Sequence, residues 1–410
     1  MKQKLRMILF FFLAADLCLV GYMIVRYVDD AIPDYLTTYV GEEEEIVLPS
    51  IFKTEETVAA LSVKNCSSGF SMLSKRIGEY QVPVRLFGVV PIKNVDVKVI
   101  RRMKVAPSGE PIGIYVETNG LLVLDTAEIE GRDGLTYAPG ENVLKEGDYI
   151  LQWNGNPVAT IPDLNEEIQK TRDKKVSVLL RRNEEKIKVA VRPIQASDRT
   201  YKIGTWVRED TQGIGTLTYI TEEGKFGTLG HGITDVDTGT LLNLQGGELF
   251  RTKILDITQG TKGEPGELQG YINMVATNEI GEVSSNTEVG VFGEMEGERI
   301  GEYATDFVPV GMKQDIREGR AYLYANLEGK PEKYEIQIED IYLNSTNNKS
   351  MEIRVTDSRL LRLTGGIVQG MSGSPILQDG KMIGAVTHVL VDDPTRGYGV
   401  FIENMLSQQK

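Results

Sequence analysis

Gly370-Met371-Ser372-Gly373-Ser374-Pro375 is followed by Ile376-Leu377, a polar Gln378-Asp379-Gly380-Lys381 stretch and the apolar run Met382-Ile383-Gly384-Ala385-Val386. Two short apolar runs joined by a turn containing Asp-Gly read as strand, turn and strand. The serine ahead of them lies between glycines, which permit a tight backbone from which a hydroxyl projects. A serine in an ordinary glycine-rich hairpin is common when only Gly-x-Ser is present. The full hexapeptide leading into a strand pair is more specific, and Ser372 reads as a nucleophile.

The hexapeptide resembles the nucleophile loop of chymotrypsin-like peptidases, G-x-S-G-x-P. By that resemblance the backbone amides of Gly370 and Ser372 form the oxyanion hole, where loss of one donor costs about 10²- to 10³-fold in rate. A serine at neutral pH needs a base, and the chain has only two histidines, His231 and His388. His231, in Gly227-Thr228-Leu229-Gly230-His231-Gly232-Ile233-Thr234-Asp235, lies about 140 residues before the serine, whereas His388 lies 16 after it. Chymotrypsin-like enzymes run His, Asp, Ser along the chain, and α/β-hydrolases run Ser, Asp, His with a G-x-S-x-G elbow. Position 374 is serine, so that elbow is absent. His231 is taken as the base and His388 as a strand residue. Asp235, Asp237 and Asp357 compete for the carboxylate that orients the imidazole. The first two are close enough to the histidine to be turn caps, and Asp357 falls between base and nucleophile.

The rest of the chain narrows the class. At 410 residues it is long enough for several domains. A net charge of −14 with no basic run disfavours nucleic acid as a partner. No H-E-x-x-H, paired C-x-x-C or phosphate-binding Walker loop occurs, so neither a metal nor another cofactor is expected. Cys18 and Cys66, the only cysteines, fall inside and well outside an apolar segment, and no intrachain disulfide is expected. That segment, Met7 to Val25, follows Lys2, Lys4 and Arg6 and contains one charge, Asp16. About 19 apolar residues nearly match a 30 Å hydrocarbon layer, and basic residues ahead of them favour an amino terminus inside with the bulk exported. A signal anchor is expected for 1–27, since no A-x-A-like cleavage pattern follows.

Residues 28–95, with Glu42-Glu43-Glu44-Glu45 as a solvated acidic run, read as a stalk with short strands. From 96 to 194 strand-like alternation surrounds one helix, which begins near Thr160-Ile161-Pro162-Asp163 and carries Leu164 and Ile168 on one face. This region resembles a PDZ domain. Pro111-Ile112-Gly113-Ile114 is similar to that family's carboxylate-binding loop, and Leu144-Lys145-Glu146-Gly147-Asp148-Tyr149-Ile150-Leu151-Gln152-Trp153-Asn154-Gly155-Asn156-Pro157 to its characteristic strand and turn. The resemblance implies that Ile112, Gly113 and Ile114 cap a peptide added as an extra strand. The glycine-rich remainder, 195–410, suits an all-β peptidase domain. The fold expected is mainly β: a transmembrane helix, a PDZ-like α+β domain and a chymotrypsin-like all-β serine peptidase.

Anchor, PDZ-like module, Leu229-Gly230-His231-Gly232-Ile233-Thr234-Asp235-Val236-Asp237-Thr238-Gly239 and Gln369-Gly370-Met371-Ser372-Gly373-Ser374-Pro375 together resemble the stage IV sporulation protein B peptidases. That resemblance implies a self-cleaving signalling peptidase of endospore formation, exported between the forespore and mother-cell membranes. Its implied substrate is the regulatory subunit of an intramembrane metalloprotease whose release activates the late mother-cell sigma factor. Carried over by position, the triad is His231, Asp357 and Ser372. An HtrA-like quality-control protease and an inert PDZ adaptor are the alternatives; HtrA enzymes place the PDZ domain after the protease, whereas here it is expected before it.

Overall fold

Strand Pro111–Thr126 buries Ile112, Ile114 and Val116 along its first half and Leu121 and Val123 along its second, and the two halves serve different cores. The computed structural model describes residues 2–54, 57–58, 60–183, 185–295, 297–345 and 347–409. Residues 112–117 are hydrogen-bonded on one edge to Thr205–Thr221 and on the other to Leu244–Thr258. From there the pairing continues through Glu279–Thr287, Gly290–Glu294 and Lys225–Thr228 back to Thr205–Thr221, closing a ring of six strands. Ile112, Ile114, Leu217, Phe226 and Leu249 fill it.

A second closed barrel comprises Gly319–Asn326, Pro331–Ile341, Met351–Val355, Pro375–Gln378, Lys381–Leu390 and Asp393–Phe401. Leu323, Ile336, Ile353, Ile376 and Phe401 fill its interior. The chain is mainly β, and the paired antiparallel barrels are the chymotrypsin-like fold.

The second half of Pro111–Thr126 leaves the first barrel and pairs with Tyr149–Trp153, which is followed in the sheet by Val176–Arg182 and Glu185–Val191. Helix Ile161–Thr171 covers this sheet through Leu164 and Ile168. Thr160 caps the helix in a reciprocal box with Asp163. The fully buried Trp153 donates its ring N–H to Thr171 Oγ1 at 2.8 Å. The expected division at 194/195 is therefore corrected. The α+β unit is inserted into the first barrel between two of its strands, the first of which is Pro111–Thr126, and Lys104–Pro107 already extends the same sheet by pairing with Tyr219–Thr221. Local alternation reveals a strand but not its partner, and the partner decides which domain the strand belongs to.

Helix Lys2–Ala31 contains an apolar stretch, Arg6–Val28, long enough to cross a membrane. Val28 in its last turns and Ile32 just after it are buried in the segment read as a stalk, which is a folded sandwich of two four-stranded sheets around Leu36, Phe52, Phe70, Val84 and Val97. Tyr39 Oη donating to Val310 O (2.9 Å) and Gln314 Nε2 donating to Thr37 O (2.8 Å) attach it to the peptidase fold.

Candidate active site

Ser372 precedes the second-barrel strand Pro375–Gln378, and His231 follows the first-barrel strand Lys225–Thr228. The barrels bring both to the shared walls of two cavities. One, of about 300 Å³, is lined also by Ile114, Ile214 and Gly370; the other, of about 490 Å³, by Val368, Thr387 and His388. Ser372 and His231 therefore border both cavities.

Backbone geometry explains the glycines around both residues. Gly230 is left-handed at φ +67°, and a Cβ there would meet Val386 O and the Thr387 methyl at 3.0 Å, so glycine lets the histidine loop lie against the second barrel. Gly373, at φ +96°, leaves no room for a Cβ, which would stand 2.3 Å from Thr216 O. Within the nucleophile loop the amide of Met371 donates to Val368 O, that of Gly373 to Val386 O and that of Ser374 to Met371 O. Among the described residues those of Gly370 and Ser372 donate to no carbonyl, so the two amides expected to receive an oxyanion are unspent.

His231 Nδ1 lies 2.8 Å from Gly232 O. A carbonyl oxygen only accepts, so Nδ1 carries the proton and Nε2 keeps its lone pair, the tautomer a general base requires. Burial pushes the His231 pKa down, against the opposing pull of the Gly232 carbonyl. Ser372 Oγ donates to Thr387 O at 2.9 Å. Asp235 Oδ1 accepts from the amides of Asp237 and Thr238, and Arg208 pairs with both Asp235 and Asp237, so these carboxylates hold the loop that follows the histidine.

Asp357 is not brought to His231. It is the N-cap of helix Ser358–Thr364, where Oδ1 accepts from the Arg359 amide at 2.8 Å and Oδ2 from the Glu335 amide at 3.3 Å and the Arg359 side chain at 3.2 Å. Burial raises its pKa, but bonds from the Arg359 side chain and from the Arg359, Glu335 and Leu360 amides outweigh this and hold it below the usual value. The expected triad is thus corrected. Chain order placed Asp357 between base and nucleophile, but its carboxylate serves the second barrel, and Gly232 O occupies the orienting position. Accordingly Asp357→Asn, which keeps a good capping side chain, should change the rate of active-site labelling by less than about threefold. A carboxylate orienting the imidazole would cost about 10⁴-fold in the same substitution.

Ile112, Gly113 and Ile114 are also corrected. They lie in the middle of a barrel strand with ladders on both edges, so their amides cannot cap a peptide carboxylate, and Ile114 faces the catalytic cavity instead. The inserted unit has a separate cleft of about 640 Å³ between helix Ile161–Thr171 and residues 201–207, with Leu164 and Ile168 on one wall and Ile203 and Val207 on the other.

Sequence reading missed two contributors. His388 lies in a strand as expected, yet its ring centroid is 5.2 Å from that of His231. Thr216 donates its amide to Ser372 O (3.1 Å) and its hydroxyl to Gly370 O (2.8 Å), tying the nucleophile loop to the first barrel. No local signal marks a threonine in an apolar strand as such a clamp. Thr216→Val should lower the labelling rate about 2- to 10-fold, the worth of one hydrogen bond, while Thr216→Ser should retain it. Equal losses in both variants would assign Thr216 to packing alone.

A family model described as SpoIVB peptidase S55 matches residues 199–406, just over half of the chain. No curated protein sequence matches. Among solved structures, the HtrA-type protease AlgW with decapeptide is 13% identical at TM-score 0.28, covering 48% of this chain and 52% of that one. The Rv3671c protease in its inactive form is 14% identical at TM-score 0.27, covering 48% and 82%. The chain spans about half the length of the HtrA-type structures it matches.

Proposed function

The chain belongs to the SpoIVB peptidase S55 family, and from that premise we propose that it is a membrane-anchored serine endopeptidase with Ser372 as nucleophile and His231 as general base. The observation that carries this reading is the meeting of Ser372 and His231, from different barrels, on the walls of the same two cavities beside two unspent amides. When a peptide enters, the Ser372 hydroxyl leaves Thr387 O and passes its proton to His231 Nε2 as Oγ attacks the scissile carbonyl. The amides of Gly370 and Ser372 receive the oxyanion. The imidazolium gives its proton to the departing amine, and water then releases the acyl group by the same steps in reverse order. Gly232 O fixes the imidazole tautomer but, being uncharged, stabilises the imidazolium less than a carboxylate would.

The inserted unit is proposed to be PDZ-like, taking an extended segment in the cleft between its helix and residues 201–207. The family supports a role in endospore formation. The finer reading is self-cleavage followed by cleavage of the regulatory subunit of an intramembrane metalloprotease in the space between forespore and mother-cell membranes, leading to activation of the late mother-cell sigma factor. The test treats full-length wild type and Ser372→Ala with a tagged fluorophosphonate and follows self-cleavage on a gel. Labelling and fragments that vanish together in the variant support the peptidase; a wild type that neither labels nor fragments favours the inert adaptor.

A further inference from the structure

The hairpin joining Gly78–Leu86 to Val90–Ile100 turns through Phe87-Gly88. Phe87 is left-handed at φ +52° and Gly88 at φ +75°, with the Val89 amide donating to Leu86 O at 3.1 Å. Two successive left-handed residues make the tight turn that suits twisted strands, and its first position favours Asn, Asp or Gly. Phenylalanine there is unfavourable, and its ring gains little inside the protein, because it is 66% exposed. Val89 and Val90 beside it are 76% and 50% exposed, and Ile51, whose carbonyl accepts from the Phe87 amide at 2.6 Å, is 38% exposed. Exposed apolar side chains thus crowd a strained tip that no element among the described residues covers.

The position of the tip identifies the partner. Tyr27, at the end of the apolar helix, stacks on Phe52 with ring centroids 6.4 Å apart, and Phe52 pairs with Leu86 at the base of the turn. Five residues further along the chain, just past the end of the helix at Ala31, Ile32 O accepts from Lys93 Nζ at 2.8 Å. From Tyr27 to Ile32 the chain therefore climbs the sandwich from the level of Leu86 to that of Lys93. The tip beyond Leu86 extends in the opposite direction, towards the apolar stretch Arg6–Val28. Charge at the tip agrees: no acidic residue occurs in 46–53 or 82–93 and Lys53 is exposed beside it, while at the helix end the exposed Arg26 is followed by Asp29 and Asp30.

We propose that Ile51, Phe87, Val89 and Val90 enter the interfacial layer of the bilayer crossed by the amino-terminal helix, making a second contact that fixes the sandwich against the lipid surface. Aromatic and aliphatic side chains flanked by basic ones suit the headgroup boundary. With the helix as the only attachment the catalytic domain would swing freely; a second contact sets its height and orientation for substrates held in the same membrane. The inference rests on reading Arg6–Val28 as a bilayer span.

The full chain is reconstituted in phosphatidylcholine–phosphatidylglycerol liposomes, where flotation that resists alkaline carbonate reports the span by itself. Phe87→Trp then adds one indole to Trp153 and Trp206. Lipids brominated near the top of the acyl chains should quench most of the added emission and leave the parent signal unchanged. An unquenched indole in a chain that floats overturns the lipid contact, and a chain that does not float overturns the span and the contact with it. Phe87→Asn should melt at or above the wild-type midpoint, because asparagine tolerates the left-handed turn. A fall of several degrees would mean that the ring serves the fold, which would also overturn the proposal.

Discussion

Ser372→Ala is expected to abolish fluorophosphonate labelling and to lower peptide cleavage by about 10⁴- to 10⁶-fold while the protein stays folded. The loss is large because no neighbouring group replaces the hydroxyl: what remains is the pair of amides at Gly370 and Ser372 and the binding cavities, which by themselves leave only about 10³-fold over water. Folding should be unaffected, since the side chain is half-buried and makes one hydrogen bond, to Thr387 O. Matched melting midpoints with lost labelling locate the effect in the chemistry. Labelling retained by the variant would place the nucleophile elsewhere and remove the proposed mechanism.

His231→Ala should be nearly as severe, about 10³- to 10⁶-fold, because base and nucleophile act as a unit. His388 provides the control. Its ring packs against His231, and burial, with the His231 and Lys349 charges as lesser causes, pushes its pKa down to about 4. It is therefore neutral across the working range, and His388→Gln should cost less than about tenfold. If the two variants exchanged severity, the base would be misassigned. The pH profile tests the same point. Catalysis needs His231 neutral, so the labelling rate rises with pH as the imidazolium loses its proton. With its pKa lowered by burial, the half-maximal rate should lie below the ordinary histidine value of about 6.5. A midpoint above 6.5 would mean that a negative group stabilises the imidazolium, which would reopen the search for a carboxylate.

Much of the proposed site was legible in the sequence because its parts are local. The glycines beside Ser372 are needed by a turn a few residues long, and the two histidines left little choice of base. Asp357 shows where such reading fails. Chain order constrains which carboxylate is eligible, but a side chain reaches only a few ångströms, and Asp357 spends that reach on the Arg359 and Glu335 amides. The orienting carbonyl of Gly232 carries no sequence mark, since every residue has one. Thr216 and His388 act through contacts between elements far apart in the chain, where neither spacing nor periodicity carries information.

By itself the sequence determined the strand-rich character, the apolar amino-terminal helix, the strand pair that follows Ser372 and the capped helix Ile161–Thr171, because alternation, hydrophobic length, turn residues and capping are encoded within a few residues of where they act. Tertiary structure alone decided that Pro111–Thr126 divides its two halves between a barrel and an inserted unit. It also decided that Ile112, Gly113 and Ile114 belong to the barrel, and that a backbone carbonyl rather than Asp357 orients His231. Each of those outcomes depends on which strand or loop lies alongside, and that is settled by pairing and packing across more than a hundred residues of chain.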